Sequence, residues 1–448
     1  MPELAHLSAS KTFSHGIHPE EHKELTSARP VRRLPFAPHY IVLMAQHLGK
    51  PALPVVRKGQ EVIRGELIAR ADGFVSVPMH APVTGVVTEV GRSLDCDGRM
   101  VPSITLRPYP GATQEVLAGE PRTLENLSGQ EIVAGIQAMG MVGLGGAAFP
   151  THVKLSPPKG KTVNDLIING CECEPYLTSD HRVMLEQGEA ILLGTSLVQK
   201  ALGAKRAVLA IEDNKPDALA EFSRLVPPGS AITVAAVKTK YPQGAEKMLT
   251  RALLHMDIPS GGLPADIGVV VSNVATVGEV GTLLPRGQGL IERVVTVTGH
   301  GIDRPGNYLV PLGTPLDFLL EQVGFNGSAR QVLFGGPMMG KSVAFLDTPV
   351  TKGVSGIVVL AEDEISPPRK TYPCIRCGEC VTACPIHLNP SRLGLLARNS
   401  RFEEMASSYN LMDCFECGSC AYVCPSNIPL VQLFRLSKGI LRERSTKR

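Results

Sequence analysis

The sequence predicts a multidomain α/β chain, and three observations predict it. Strand-like and helix-like stretches alternate from Val163 to Val280, the pattern of a doubly wound parallel sheet. Short glycine-punctuated β pieces precede that block, and a second β-rich stretch follows it from Arg293. The C-terminal segment holds two copies of C-x2-C-x2-C-x3-C-P, separated by residues with helical spacing of their apolar positions. At 448 residues the chain has room for about three or four domains. We divide it into an N-terminal arm (1–30), a β module (31–110), an α/β domain (111–288), a smaller β-rich unit (289–345), a linker (346–370) and a helical domain (371–448).

Composition removes several function classes. A net charge of +3, with no basic run interleaved with aromatics, argues against a nucleic-acid partner. Aromatic content of 4%, with no tryptophan, leaves little for stacking bases. No apolar run reaches the roughly eighteen residues of a membrane span, and the opening MPELAHLSASKTF lacks the apolar core of a signal peptide. Any membrane association is therefore expected to come through a partner.

The arm is polar. His15, His18 and His22 stand close together around Pro19, and we read them as part of an exposed arm rather than a metal site, since no ligand geometry is defined. In the β module, alternation in VTGVVTEV and glycines at Gly59, Gly65, Gly73 and Gly85 read as short strands joined by turns. The module resembles the barrel-sandwich fold of biotinyl and lipoyl carriers. Those carry a lysine at a hairpin tip, where this chain has Val77-Pro78-Met79-His80, so a docking module is expected and not a swinging arm.

In the α/β domain, MGMVGLGGAAFPTHVKL places Gly140, Gly143, Gly145 and Gly146 where the main chain can approach a ligand and offer N–H groups to a phosphate. Lys154 supplies a compensating charge. Glycine-rich turns alone are common, but VNDLIING then reads as a buried strand ending at Asn169, with Glu172 and Glu174 just beyond it. Open α/β sheets bind ligands at such strand ends. Residues 188–202 have helical spacing, RAVLAI is a strand, KPDALAEFSRLV a helix, AITVAAVK a strand, and PADIGVVVSN a strand ending at Asn273. Two strands, a helix near Pro315–Val323 and another strand then suggest a β-grasp unit. Gly335, Gly336 and Gly340 read as tight turns, because no strand-to-helix transition with a basic partner follows.

The two cysteine motifs are Cys374, Cys377, Cys380, Cys384 and Cys414, Cys417, Cys420, Cys424, each followed by proline. Zinc motifs offer ligands in pairs, and disulfides need no such repeat. Three closely spaced thiolates suit three irons of a cubane, and in two-cluster ferredoxins the fourth ligand is the last cysteine of the other motif. We expect two [4Fe-4S] clusters, one on Cys374, Cys377, Cys380 and Cys424, the other on Cys414, Cys417, Cys420 and Cys384. Such thiolates must be free at assembly, which points to a reducing cytoplasm.

GLGGAAFPTHVK resembles the GRGGAGFPTGLK loop of the flavin-bearing, NADH-oxidising subunit of respiratory complex I. NGCECEPY, YPQGAEKML and SNVAT are similar to that family's NADEGEPG, YICGEETAL and NNVET, in the same order. The whole arrangement, from β module to paired cysteine motifs, resembles the C subunit of Rnf electron-transport complexes. The resemblance implies noncovalent FMN cradled by Gly143, Gly145, Gly146 and Ala147, with Lys154 near its phosphate and Asn169, Tyr241, Gly244, Asn273 and Thr276 lining it. Glu172 belongs to the same site loop. It further implies NAD(H) as substrate, with Phe149 packing in the nucleotide site and Glu174 beside the nicotinamide. Cys171, Ala245, Ser272 and Pro157 depart from the complex I pattern. Cys171 and Cys173 are read as lining or packing residues, since no activating partner is evident.

These readings imply an NADH dehydrogenase subunit, peripheral on the cytoplasmic face of the cell (inner) membrane. Its partners would be integral and other redox subunits, with coupling to ferredoxin and to Na+ or H+ translocation. The chemistry would be cofactor-borne, with no catalytic side chain demanded by hydride transfer. The competing readings are a diaphorase subunit of a soluble hydrogenase or formate dehydrogenase, and a cluster-bearing relay without nucleotide turnover.

Overall fold

The computed structural model of the chain describes residues 11–158, 160–365 and 370–446. The end of the expected linker at 366–369 and the first ten residues of the arm lie outside them. Two small antiparallel sheets form the β module. One runs in the order Tyr40–Leu43, Met100–Pro108, Gly85–Leu94, Glu61–Val62, and the other Leu53–Pro54, Leu67–Arg70, Met79–His80. The hairpin tip is closed off, with Val77 and Met79 fully buried. Buried Lys352 donates to the Pro78 carbonyl at 2.9 Å and to the Gly140 carbonyl at 2.7 Å, pinning the tip against the α/β domain.

That domain is built on a parallel four-stranded sheet in the order Ile232–Val237, Arg206–Glu212, Asp165–Gly170, Val269–Asn273. Helices cover both faces. Leu166 and Ile168 face the core shared with the helices Gly188–Leu202 and Val274–Leu283, whereas Ile167 packs with Leu249 and Leu253 of the helix Glu246–Leu254. Such period-two alternation into two apolar layers is what a strand buried on both sides requires. The two helices on the first face approach so closely that a Cβ on Gly194 would lie 1.8 Å from the Val277 carbonyl oxygen.

The β-grasp unit is larger than its sequence suggests. Its six-stranded sheet runs Arg32–Arg33, Gly306–Pro311, Glu292–Thr298, Gly356–Ala361, Ala329–Phe334, Lys341–Ser342, with the helix Leu316–Gln322 packed on it. The expected linker is corrected here. Residues 356–361 are a fully buried strand between two others, because GIVVLA has no polar residue to leave in water. The expected exposed arm is corrected too. Phe13, Ile17 and Thr26 are buried, Lys11 and Ile17 bridge to Val237 and Tyr241, and His22 stacks on Tyr176 with ring centroids 4.8 Å apart. Just past the arm, Arg32–Arg33 form the edge strand beside Gly306–Pro311.

The last domain is helical, with Pro390–Arg398, Phe402–Ser407 and Leu430–Thr446 packed around Leu393, Met405, Leu411 and Phe434. No helix among the described residues is long and apolar enough to cross a membrane.

Candidate functional site

Asn273, the last residue of its strand, stands in register opposite Asn169, the last but one of the neighbouring parallel strand. The Asn169 amide donates to the Gly244 carbonyl at 2.8 Å, and its oxygen accepts the Cys171 N–H at 3.0 Å. Asn273 caps the helix Val274–Leu283 by accepting the Thr276 N–H at 3.2 Å, and donates to Asp180 Oδ2 at 2.6 Å. Burial and the nearby Glu172 charge push the Asp180 carboxyl up. Thr276 Oγ1 accepts the Leu144 N–H at 2.9 Å, so the glycine loop is tied to the start of that helix. Buried Arg293 braces the loop, donating to the Leu144 carbonyl at 3.0 Å.

Beyond these ties the main chain of Gly145, Gly146 and Ala147 is exposed. Gly146 has φ +106°, and a Cβ placed on it meets nothing within 4 Å, whereas one on Gly145 would press on Asn273 at 3.2 Å. An open glycine main chain beside a helix N-terminus fits the phosphate and edge of a flavin mononucleotide. Phe149 is half-buried, its carbonyl accepting the Gly143 N–H at 2.8 Å. Lys154 is not left free for a phosphate, because its ammonium is paired with Glu246, the first residue of the helix Glu246–Leu254.

The loop from Cys171 to Leu177 is organised by a residue without a sequence signal. Lys23 of the arm donates to the carbonyls of Glu172 (2.6 Å), Glu174 (3.1 Å) and Leu177 (2.6 Å), and burial lowers its pKa. Glu172, expected at the cofactor, faces the protein instead. Its carboxylate accepts from Ser179 Oγ, the Asp180 N–H and the His181 N–H at 3.1, 2.9 and 3.3 Å, because the helix Ser179–Glu186 needs an acceptor for its unpaired N–H groups. Glu174 is held from the β-grasp unit by the N–H groups of Met338 (3.0 Å) and Met339 (2.8 Å). A Cβ on Gly336 would lie 2.3 Å from its Oε2. Burial, the largest influence, pushes Glu174 up to about 7 against the pull of those two donors. The turn at Gly335–Gly340 is thus a turn, as its glycines suggest, and also supplies the two N–H groups that seat Glu174. Burial likewise raises the thiols of Cys171 and Cys173, which keeps both neutral packing groups.

Tyr241, expected along the flavin, sits at the contact with the helical domain. Its ring is 1% exposed and packs with Ile17 and Ala383, against Cys173, Met338, Cys417 and Val423. Its hydroxyl donates to the Cys417 carbonyl at 2.6 Å. The interface of the two domains is completed by Asp413, which accepts from Ser260 Oγ at 2.5 Å and the Gly261 N–H at 3.0 Å, and by His15 within 3.1 Å of the Cys384 carbonyl.

In the helical domain the two cysteine motifs repeat one backbone path. Arg376 and Glu416, at equivalent positions, have φ of 58° and 63°, and His387 and Asn427 have 57° and 49°. The left-handed turns let each triplet curl around a centre. Cys384, Cys414, Cys417 and Cys420 line one cavity. After burial, the Cys380 thiol is raised most by Cys377, Cys424 and Cys374, which marks these as its near neighbours. All eleven cysteines are free thiols. Two convergent sets of four thiols, each crowded and electrostatically costly as thiolates, fit two [4Fe-4S] clusters.

The arrangement can be compared with known proteins. Four family models match: an RnfC barrel sandwich hybrid domain over 11–109, a Nuo51 FMN-binding domain over 136–282, an SLBB domain over 294–342 and a 4Fe-4S dicluster domain over 373–428. Over 443 residues the chain is 41% identical to the C subunit of the proton-translocating ferredoxin:NAD(+) oxidoreductase complex of Clostridium ljungdahlii, covering 96% of this chain and 93% of that one. The chain belongs to the RnfC family, the C subunits of ion-translocating ferredoxin:NAD+ oxidoreductase complexes.

Other members of the RnfC family agree. The C subunit of the Na(+)-translocating ferredoxin:NAD(+) oxidoreductase complex of Acetobacterium woodii is 40% identical over 95% of this chain and 96% of its own length. Its counterpart in the ion-translocating oxidoreductase complex of Rhodobacter capsulatus is 42% identical over 99% of this chain and 86% of its own. Among solved structures, an NAD+-reducing [NiFe]-hydrogenase in the H2-reduced state superposes with a TM-score of 0.50 at 18% identity, covering 70% of this chain and 63% of that one. That likeness is one of fold. The barrel-sandwich model begins at residue 11, so the RnfC family treats the arm as part of the first domain.

Proposed function

We propose that this subunit oxidises NADH at FMN held on the Gly143–Ala147 loop, and passes the electrons one at a time through two [4Fe-4S] clusters to partner subunits of a membrane complex. The observation that carries the reading is contiguity. The open glycine loop and the asparagine pair lie on the strand ends of the α/β sheet, and Tyr241, Cys173 and Met338 pack in one apolar cluster with Cys417. A bound flavin accepts a hydride as a two-electron unit and releases electrons singly, which is what cubanes carry.

The protein's own residues supply position. Asn273 and Thr276 fix the glycine loop on the helix start, Asn169 fixes the Gly244 turn, and Glu174 with Phe149 offers a carboxylate and a ring to a nicotinamide. The cluster on Cys384, Cys414, Cys417 and Cys420 would receive electrons first, because it abuts Tyr241. The cluster on Cys374, Cys377, Cys380 and Cys424 would be the exit, since Cys374 and Cys377 are exposed. That exposed edge would meet another redox subunit, with ferredoxin reduction and Na+ or H+ movement residing in partners. The protein would then sit peripherally on the cytoplasmic face of the membrane.

Anaerobic addition of NADH to the purified, cluster-replete chain tests this reading. Flavin absorbance should bleach first and cluster absorbance after it, and acid precipitation should release FMN. A chain that retains no flavin after gentle anaerobic purification, or flavin that NADH leaves oxidised, overturns it. In cells the chain should sediment with membranes only when integral partner subunits are present.

A further inference from the structure

We propose that Tyr241 is a positioning residue for electron transfer, its hydroxyl setting the potential of the cluster bound by Cys384, Cys414, Cys417 and Cys420. The proposal rests on the reading above and adds to it a role for one side chain.

Tyr241 is a point at which the two halves of the molecule share a polar contact away from water. Its main chain exchanges two 2.9 Å hydrogen bonds with Ile17, which fixes the residue from the arm side. Three residues on, the Gly244 carbonyl takes the Asn169 amide, so the same turn is anchored to the candidate flavin edge. The ring is enclosed by Ile17, Ala383, Cys173 and Met338, and a Cβ on Gly418 would lie 3.2 Å from the Met338 carbonyl oxygen. From that enclosed position the hydroxyl reaches the Cys417 carbonyl at 2.6 Å. By contrast, the Ser260–Asp413 contact of the same interface is at the exposed rim.

A reduced cluster carries one more negative charge than an oxidised one, spread over its irons, sulfides and cysteine thiolates. Hydrogen bonds to the sulfurs and solvent exposure set cluster potentials. A buried hydroxyl whose positive end points at the peptide of a ligand cysteine acts in the same direction, its dipole favouring the more negative, reduced form. Enclosure strengthens the effect, because no water competes for the carbonyl. In the step served, one electron leaves the reduced flavin and enters the cluster. No bond to Tyr241 forms or breaks, and the phenol keeps its proton.

The test is a redox titration of the full, flavin-loaded and cluster-replete chain with dithionite, followed by electron paramagnetic resonance, comparing wild type with Tyr241→Phe. Phenylalanine keeps the ring contacts and removes only the donor. The Cys417 cluster should become about tenfold harder to reduce, a midpoint lower by about 59 mV for a one-electron couple. The other cluster should hold its midpoint. Ser260→Ala loosens the rim of the same interface and should leave both midpoints in place. Equal midpoints in wild type and Tyr241→Phe, an equal shift of both clusters, or the same shift in Ser260→Ala would overturn the proposal. Because dithionite replaces NADH here, a wild-type flavin that NADH cannot reduce would sink the functional reading without touching this result.

Discussion

The Lys23 ammonium donates to the main-chain carbonyl of Glu172 at 2.6 Å, across 149 positions of sequence. Its other two protons go to Glu174 and Leu177, so one arm residue satisfies three carbonyls of the loop that carries the Glu174 carboxylate. Lys23→Met should leave these acceptors unpaired in a dry setting. A loss of about 1–3 kcal/mol of stability is expected, with weaker flavin retention as the loop relaxes. Thermal unfolding and the flavin-to-protein ratio check both.

Glu174 ties that loop to the β-grasp unit through two N–H groups. Glu174→Gln should preserve flavin content and slow NADH-driven flavin reduction, read by anaerobic stopped flow. Equal rates would remove Glu174 from the nucleotide site. Its pH dependence has a definite sign. With a pKa of about 7 in the folded chain and 4.5 as its ordinary value, the native state holds a proton that the unfolded chain has shed between those pH values. Stability should therefore fall as pH rises through that window. Allowing for partial exposure, the Glu174 share is about 1–3 kcal/mol between about pH 5 and 8, and the glutamine variant should lack it.

Lys154 and Glu246 form an ion pair beside the glycine loop. Lys154→Glu would set two carboxylates against each other and bring negative charge toward any phosphate bound there. Flavin retention should be lost, whereas Glu246→Gln, which frees the ammonium, should retain flavin. Unchanged flavin content in Lys154→Glu would move the phosphate elsewhere.

Cys384 follows the first triplet in sequence but lines the cavity of the second. Cys384→Ser should alter the paramagnetic resonance signal of the cluster on Cys414, Cys417 and Cys420. An altered signal from the first-triplet cluster with the other untouched would mean local ligation. Crossed ligands would also join the two helical halves, so loss of either cluster should then loosen the whole domain.

The sequence by itself determined what local spacing encodes. The triplet-plus-proline motif points to two cubanes because three thiolates so close along the chain can reach one centre. The strand ends at Asn169 and Asn273, the helix at 188–202 and the open glycine loop are legible because apolar period and glycine content act over a few residues. Only the tertiary structure decided the roles of Lys23, Gly336, Met338, Met339 and the strand Gly356–Ala361. Their partners lie far off in sequence, 165 positions in the case of Met339, and no periodicity records such pairings. Glu172 and Glu174 show the distinction within one short loop. Both follow a strand end, and the sequence treats them alike. The fold gives one to the N–H groups of a helix and the other to a turn from a different domain, because a buried carboxylate goes to whichever donors the packed backbone leaves unpaired.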